Sequence, residues 1–343
     1  METKHLILNH NSKEVSAKTD QKVDLIVTSP PYPMIKMWDE LFEIDSLAKN
    51  EEEIGNEFKK SISFLNEIWN ESLRLLSEDA IVCINIGDAT RKIGSQFRLF
   101  NNHQKIVEYF LSKGFVQLPS IIWRKQTNSP NKFMGSGMLP VGAYVTLEHE
   151  YILIFRKQKR DFLKNNEKEN RLESAFFWEE RNVWFNDVWD VKGVKQRNNI
   201  LNSRERTAAY PFEIADRLIK MFSVKGDTVL DPFLGTGTTT LAAMLNERNS
   251  IGVELDEGLY LNFVDSLKKD NNTITKKMNK KIDERISEHE DFVTNSQSEV
   301  KYFNENLKTR VKTKQELRIK INKIKSIQIE KEKNEALLRV NYF

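Results

Sequence analysis

The stretch VLDPFLGTGTTTLAAMLNERNSIGVELD, residues 229–256, decides the fold because it joins two strands and a helix through a glycine-rich turn. The apolar residues before Asp231 predict a buried strand, TTTLAAML predicts a helix, and SIGVE predicts a second strand. Gly235 and Gly237 let the backbone turn tightly and approach a ligand closely. A glycine turn between a strand and a helix is typical of the ligand-binding edge of doubly wound α/β sheets.

An acidic residue follows this turn at a characteristic distance. Glu254 ends the second strand about twenty residues after Gly235, where Rossmann-like units place a carboxylate on ribose hydroxyls. No lysine follows the glycines, which disfavours a triphosphate-binding loop, and Thr240 stands where a dinucleotide fingerprint needs a third glycine. The turn therefore favours an adenosyl ligand without a pyrophosphate, and a purely structural turn is the alternative.

The rest of the chain predicts an α/β fold with a mostly parallel, Rossmann-like sheet flanked by helices. The runs VDLIVTSP, DAIVCINIG, SIIWRK and EYILIFRK read as strands, and EFKKSISFLNEIWNESLRLLSE has apolar residues at helical spacing. Composition divides the 343 residues into four regions. Residues 1–156 and 204–268 show the α/β pattern, 157–203 are a polar, irregular insertion, and 269–343 are a Lys/Glu/Asn-rich extension predicted to form charged helices.

Composition also limits the class of protein. The single cysteine, Cys83, excludes a disulfide framework and a cysteine-based zinc site, and the histidine spacing indicates no metal. No apolar run has membrane-spanning length and no signal peptide is evident, so we expect a cytoplasmic protein without a membrane partner. Because the net charge is only +3, any nucleic-acid surface must be a local basic patch.

A second motif lies at the end of the strand VDLIVTSPPY, residues 23–32. Adjacent prolines cannot continue a strand within a sheet, so they must form a stiff tip at its end. Such a tip exposes carbonyl oxygens without N–H donors beside them, and Tyr32 adds a flat aromatic face.

Taken together, these motifs resemble the β class of amino-group DNA methyltransferases, which use S-adenosylmethionine and belong to restriction-modification systems. Ser29, Pro30, Pro31 and Tyr32 match the catalytic tetrapeptide of that family, and Phe233, Gly235 and Gly237 match its cofactor turn. The tetrapeptide precedes the cofactor turn here, as in the β class, whereas RNA and protein-glutamine enzymes with a similar tetrapeptide usually have the opposite order. The resemblance covers roughly residues 20–268 and includes HEYILIFRK and the helix before the turn.

The resemblance implies a role for each matching residue. The Ser29 side chain and the Pro30 carbonyl would accept the two hydrogens of an exocyclic amino group, and Tyr32 would stack on the base. The base must leave the duplex to reach this tip, so base flipping is implied. The residues expected to hold the cofactor are Asp231, Phe233, Gly235, Gly237, Thr238 and Glu254. For Asp231, capping the turn that follows it is an equally weighted alternative.

The target base is expected to be cytosine, methylated at N4, because serine in the first position is biased that way in the family. Adenine N6 is the alternative, and a nucleic-acid-binding protein that has lost catalysis is a third possibility. Ring-carbon methylation would need an activated cysteine nucleophile, and Cys83 has no adjacent proline. Serine is a weak base, so the released proton needs another acceptor. Asp88, after CINIG, is one candidate, and a helix cap is its alternative role.

The family places target recognition between the catalytic half and the cofactor half of the chain. Here that implies a catalytic half at 1–156, recognition at 157–203 and a cofactor half at 204–268. Basic residues in or beside the recognition region are predicted to contact DNA phosphates or guanines: Lys192, Lys195, Arg197, Arg204 and Arg206. The expected partners are double-stranded DNA and, functionally, a cognate restriction endonuclease in a prokaryotic cell.

Overall fold

The computed structural model of the protein describes residues 1–45, 50–93, 96–125, 138–142, 144–161, 167–192 and 210–343. Its strands are β1 (Glu2–Asn9), β2 (Val23–Thr28), β3 (Leu76–Ile86), β4 (Ala89–Ile93), β5 (Gln96–Phe100), β6 (Val116–Arg124), β7 (His149–Arg156), β8 (Val188–Trp189), β9 (Thr228–Asp231), β10 (Asn249–Glu254), β11 (Tyr302–Asn304), β12 (Thr309–Val311), β13 (Ile324–Lys331) and β14 (Glu335–Tyr342). Its helices are α1 (Glu51–Leu75), α2 (Asn102–Ser112), α3 (Glu167–Glu173), α4 (Trp178–Trp184), α5 (Phe212–Phe222), α6 (Thr238–Leu245), α7 (Glu257–Lys269) and α8 (Asn271–Asn295).

One large sheet organises the molecule and has the strand order β13-β14-β1-β10-β9-β2-β3-β7-β6-β8. The five strands from β1 to β3 in this order run parallel, and antiparallel pairs flank them on both sides. Buried apolar side chains fill the two faces of this sheet, as a parallel sheet covered by helices requires. The predicted α/β fold is confirmed.

The chain folds locally as its pattern indicates. Asn50 is the N-cap of helix α1, and its side chain accepts a hydrogen bond from the backbone N–H of Glu53. It buries one stripe of apolar residues, including Leu65, Ile68 and Trp69, against the sheet. Helices α5 and α6 cover the opposite face around Leu218 and Ala243.

The C-terminal extension departs from the prediction in its second half. Helix α8 forms as expected, but the chain then turns into a small β11–β12 hairpin and into β13 and β14. Strand β14 pairs antiparallel with β1, so these residues complete the main sheet. Ala336, Leu338 and Val340 alternate inward along β14, and this period of two is the strand signal hidden within a highly charged composition.

The described part of the predicted recognition region, 157–161 and 167–192, contains α3, α4 and β8. Trp184 and Trp189 are buried packing residues, and only Trp178 is substantially exposed. The Arg285 guanidinium of α8 forms two hydrogen bonds with the Glu180 carboxylate of α4, at 2.6 and 2.8 Å. The insertion is therefore fastened to the C-terminal extension, while its predicted limits at 157 and 203 remain predictions.

Two properties of the described ranges bear on function. Within them, no group of three or more His, Cys, Asp or Glu side chains is placed to hold one metal ion. None of the helices α1 to α8 combines the length and apolarity needed to cross a membrane.

Candidate active site

The carboxyl ends of β2 and β9 lie side by side at the centre of the sheet. The strands are parallel neighbours in which Ile26 pairs with Leu230. Two residues later along the chain, Thr28 Oγ1 donates a hydrogen bond to Asp231 Oδ1 at 2.6 Å. Because parallel strands end at the same edge, the proline tip and the glycine turn must emerge next to each other.

A cavity of about 1060 Å³ opens above these strand ends. One end is lined by the complete predicted tetrapeptide: Ser29, Pro30, Pro31 and Tyr32. The other end is lined by four predicted residues of the glycine turn and the following strand: Phe233, Gly235, Thr238 and Glu254. The volume is at the upper end of the range for small-molecule pockets, so the cavity has room for more than one small ring system.

The two glycines of the turn have different structural roles. Gly235 adopts φ 55°, and its N–H donates to Glu254 Oε2 at 2.8 Å. Gly237 adopts φ 80° as the residue that caps α6, and a Cβ there would overlap the Phe263 ring. Gly237 thus permits close packing behind the turn, whereas Gly235 lies at the cavity itself.

Glu254 is fixed by two backbone donors. Besides the Gly235 bond, its Oε1 accepts from the N–H of Asp256 at 2.8 Å. Burial raises the pKa of this carboxyl from an ordinary 4.5 to about 7, against the lowering effect of the two N–H bonds. Each oxygen retains a further acceptor position, so a carboxylate here fits a ligand that presents neighbouring hydroxyl groups.

Asp231 lies beneath the cavity. Its Oδ1 accepts from Thr28 Oγ1 and from the N–H of Phe233, and its Oδ2 accepts from Thr239 Oγ1 at 2.6 Å. Only 2% of the residue is exposed. This placement favours the alternative role of capping the turn, because these contacts hold the two strand ends and the start of α6 together. Phe233, in contrast, lies at the cavity and packs edge-on against Trp69 with ring centroids 5.6 Å apart.

At the tetrapeptide end, hydrogen bonds connect residues from three strands. Tyr32 Oη donates to Glu150 Oε2 at 2.7 Å, and Ser29 Oγ lies 3.0 Å from Tyr32 Oη. Asn85 Nδ2 lies 2.8 Å from Tyr32 Oη and 2.6 Å from Glu150 Oε2. Burial, and then the charge of Glu150, raise the pKa of Tyr32 well above its usual value, so its hydroxyl keeps its proton.

Sequence reasoning missed Glu150, Asn85 and Lys125. Glu150 is only 5% exposed, and one oxygen forms an ion pair with Lys125 Nζ. The available signal was a polar residue inside an otherwise apolar strand, as in HEYILIF and AIVCINIG. Burying such a group is costly unless it has partners, so its presence marks a network or a site.

Asp88 is the candidate acceptor that the sequence suggests for the released proton, and in the structure its carboxylate binds His103. Its carboxylate accepts from His103 Nδ1 at 2.7 Å and from the backbone N–H of His103 at 3.0 Å, at the start of α2. Asp88 lines the cavity, but these hydrogen bonds are those of a helix-capping residue. This position favours the capping role over that of a free proton acceptor.

The predicted DNA contacts are only partly described. Lys192 is exposed after β8. Lys195, Arg197, Arg204 and Arg206 lie outside the described residues.

Comparisons with known proteins agree on one family. The N6/N4 methyltransferase family model, described as DNA methylase, matches residues 23–265. The chain is 49% identical over 328 residues to the Type II methyltransferase M.MthZI of Methanothermobacter thermautotrophicus, covering 94% of this chain and 91% of the relative. It is 49% identical over 272 residues to the Type II methyltransferase M.MjaI of Methanocaldococcus jannaschii, covering 75% and 89%.

Solved structures show the same architecture. The protein TTHA0409 of Thermus thermophilus, in complex with S-adenosyl-L-methionine, aligns with a TM-score of 0.59 and 29% identity over 78% of this chain and 94% of that one. The cytosine-N4-specific PvuII DNA methyltransferase aligns with a TM-score of 0.52 and 16% identity over 74% and 83%. At that identity, the second likeness concerns the fold alone.

Proposed function

Because the chain belongs to the N6/N4 family of DNA methylases, we propose that it transfers a methyl group from S-adenosylmethionine to the exocyclic N4 of a flipped-out cytosine in double-stranded DNA. The chain is an S-adenosylmethionine-dependent DNA methyltransferase of the N4/N6 type. One observation carries the finer proposal. Ser29 begins the tetrapeptide at one end of a single cavity whose other end holds Glu254.

The residues at the turn fit the cofactor. The Glu254 carboxylate offers acceptors for ribose hydroxyls, Phe233 offers an apolar ring, and Thr238 offers a hydroxyl at the start of α6. When bound, S-adenosylmethionine supplies a methyl group from its positively charged sulfonium. We assign the remaining predicted residues of the turn, Asp231 and Gly237, to holding this surface in place.

The tetrapeptide end suits an amino group. Tyr32 Oη donates to Glu150, so in the Ser29–Tyr32 bond the serine is the donor. Ser29 Oγ accepts a long hydrogen bond from Asn85 Nδ2 at 3.3 Å and has a second lone pair for an incoming N–H, and the carbonyl of Pro30 provides the second acceptor in this proposal. Acceptors on both amino hydrogens orient the nitrogen lone pair toward the methyl group.

The Tyr32 ring is held firmly at the cavity wall. A Cβ on Gly87 would lie 3.0 Å from the ring, so a glycine here lets the strand and the ring approach closely. The hydroxyl is anchored to Glu150, which leaves the ring face as the surface on which a flipped base stacks. Rigid placement matters because misalignment of the reacting atoms costs rate steeply.

Adenine N6 remains the alternative target, since both bases present an amino group beside a ring acceptor. Serine in the first position favours cytosine through its resemblance to the N4 enzymes. The complete tetrapeptide and four of the predicted cofactor residues line one cavity, which argues against a protein that only binds nucleic acid. We further propose that Lys192 and its basic neighbours contact DNA, and that methylation protects sites cut by a cognate restriction endonuclease.

Nucleoside analysis of methylated DNA tests the proposal. Purified protein and S-adenosylmethionine are incubated with unmethylated duplex DNA, which is then digested and resolved by mass spectrometry. N4-methylcytosine is the expected product. N6-methyladenine alone would show the alternative target, and absence of any methyl product would refute transfer by this chain.

A further inference from the structure

We propose that Glu150 is the final acceptor of the proton released during methyl transfer, which it receives through Ser29 and Tyr32. The inference rests on the proposed function, because it concerns the same amino group. It answers a question that the weak basicity of serine leaves open. The Ser29–Tyr32–Glu150 series of hydrogen bonds is called the relay below.

The reaction requires one proton to leave. The amino nitrogen forms a bond to the methyl carbon as the carbon–sulfur bond breaks, and the electron pair of that bond stays on sulfur. The nitrogen then carries a positive charge and must release one of its two hydrogens as a proton. In the relay, Ser29 Oγ takes this proton and passes its own to Tyr32 Oη, and Tyr32 passes its own to Glu150. Both hydroxyls end neutral, and Glu150 ends protonated.

The hydrogen-bond directions before reaction fit this transfer. Ser29 Oγ and Tyr32 Oη are 3.0 Å apart, and Tyr32 Oη and Glu150 Oε2 are 2.7 Å apart. Each hydroxyl already donates toward Glu150, so the protons of Ser29 and Tyr32 both move along existing bonds. Neither hydroxyl has to persist as an anion during this transfer. This matters for Tyr32, because its pKa lies well above the usual value and its anion is therefore unfavourable.

The surroundings of Glu150 suit an acceptor. The side chain of Asn85 donates to Oε2 at 2.6 Å, and Lys125 Nζ forms an ion pair with Oε1. The two donors thus contact different oxygens of the carboxylate. The Lys125 side chain is 38% exposed, so the ion pair also connects Glu150 with solvent, where the proton is released after the reaction.

Two further carboxylates of the cavity, Asp88 and Glu254, have other hydrogen-bond partners. Asp88 is bound by both the ring and the backbone of His103. Glu254 lies at the cofactor end, where Gly235 and Asp256 hold its two oxygens. Glu150 is the carboxylate that hydrogen bonds link to Ser29 through the described residues.

The test uses the full-length protein and single-turnover methyl transfer with saturating cofactor and DNA. Glu150→Gln keeps the size and the buried position but cannot take a proton. We expect the rate to fall about 100-fold or more, as loss of a proton acceptor does, while the dissociation constant for S-adenosylmethionine stays unchanged. Glu150→Asp restores a carboxylate and should recover part of the rate.

Tyr32→Phe interrupts the same relay and supplies a second variant. It should also slow the transfer, and the double variant Tyr32→Phe/Glu150→Gln should be no slower than the slower single variant. Residues that act as one unit are strongly non-additive in this way. Losses that multiply in the double variant would show independent roles and overturn the relay.

Glu247→Gln is the matched control for losing a buried ion pair. Glu247 is 2% exposed and pairs with Lys225 at 2.6 Å and with the Asn322 amide at 2.7 Å, which parallels the partners of Glu150. It should lower the melting temperature without changing the rate. If Glu150→Gln reduces the rate only as much as Glu247→Gln does, Glu150 is structural and the proposal fails.

The same assay separates this inference from the proposed function. If the wild-type protein methylates N4 of cytosine and Glu150→Gln retains its full rate, the relay is refuted and the function stands. If the wild-type protein transfers no methyl group to cytosine, the proposed function fails first.

Discussion

Thr28 Oγ1 donates a 2.6 Å hydrogen bond to Asp231 Oδ1, a contact between residues 203 positions apart in the chain. It joins the strand that ends in the proline tip to the strand that ends in the glycine turn. Thr239 Oγ1 donates to the other oxygen of Asp231, which adds the start of α6 to the same junction. One buried carboxylate therefore links the two halves of the cavity, in addition to the direct pairing of their strands.

Thr28→Val should lower the stability of the protein and impair both the tetrapeptide end and the cofactor end of the cavity. The substitution keeps the shape but removes a donor from a carboxylate that is 2% exposed, which costs about 1–3 kcal/mol of stability. We expect lower cofactor affinity and a slower single turnover, because the proline tip and the turn lose their common support. Calorimetric titration and a denaturant melt measure the two effects.

Thr240→Val is the control for this prediction. Thr240 is 1% exposed, and its Oγ1 has no hydrogen-bond partner among the described residues. Losing that hydroxyl should leave stability unchanged or raise it, since a buried polar group without a partner is costly. Equal destabilisation by both valines would contradict the assigned role of the Thr28–Asp231 bond.

Cofactor binding should strengthen as pH rises through neutrality. Burial raises the pKa of Glu254 to about 7 in the ligand-free protein, and only the ionised carboxylate can accept hydrogen bonds through both oxygens. The dissociation constant for S-adenosylmethionine should therefore decrease between about pH 6 and pH 8. Glu254→Gln should bind more weakly and lose this dependence. A wild-type affinity that is constant over this range would refute the assignment of Glu254 to the ribose.

The raised pKa of Glu254 also predicts how the stability of the protein without cofactor depends on pH. Glu254 binds its proton more tightly in the folded state than in the unfolded state, where the pKa is near the ordinary 4.5. Its contribution to the unfolding free energy is complete below about 4.5 and is lost as pH rises through about 7. The unfolding free energy of the wild-type protein should therefore decrease more steeply with rising pH over this range than that of Glu254→Gln. Denaturant melts at a series of pH values measure this difference.

Gly237→Ala should destabilise the protein by about 2 kcal/mol or more, from left-handed backbone strain and overpacking. Gly237 has φ 80°, and the added Cβ would overlap the Phe263 ring. The melting midpoint in denaturant measures the effect. Gly55→Ala is the control, because Gly55 lies in α1 with nothing within 4 Å of a Cβ and should gain about 0.5–1 kcal/mol. A neutral Gly237→Ala would contradict the close packing behind the turn.

Leu338→Ala should cost about 2–5 kcal/mol, the range for a leucine removed from a packed core. Leu338 is fully buried in β14, opposite His5 of β1. Such a loss would show that the C-terminal strands belong to the main sheet rather than to a solvated extension. Phe343→Ala serves as control, since Phe343 is 76% exposed and should change stability little. Equal melts for both variants would contradict the placement of β14.

Much of the site could be predicted because its signals are local. Gly235 and Gly237 stand in a turn where the backbone needs positive φ, and Pro30 and Pro31 stand where a strand must stop. Backbone sterics act over a few residues, so a short motif reveals them. The resemblance of these motifs to a family then supplied the cofactor and the reaction.

The C-terminal strands were less predictable for a physical reason. Strand β14 alternates polar and apolar residues except at Leu337, and whether such a segment becomes a strand depends on a partner with an open edge. Strand β14 pairs with its neighbour in the chain, β13, and with β1, which lies more than 300 residues away. Charge composition alone indicated a helix and could not report this pairing.

By itself, the sequence determined an α/β sheet, a strand that ends at Ser29 and a glycine turn followed by Glu254. Only the tertiary structure decided that Glu150 and Asn85 contact Tyr32 and that Lys125 pairs with Glu150, because these residues come from β7, β3 and the end of β6. Hydrogen bonds between distant strands depend on sheet order and register, which no short stretch encodes. The tertiary fold likewise puts Asp231 beneath the cavity and brings the Asp88 carboxylate against His103 at the start of α2.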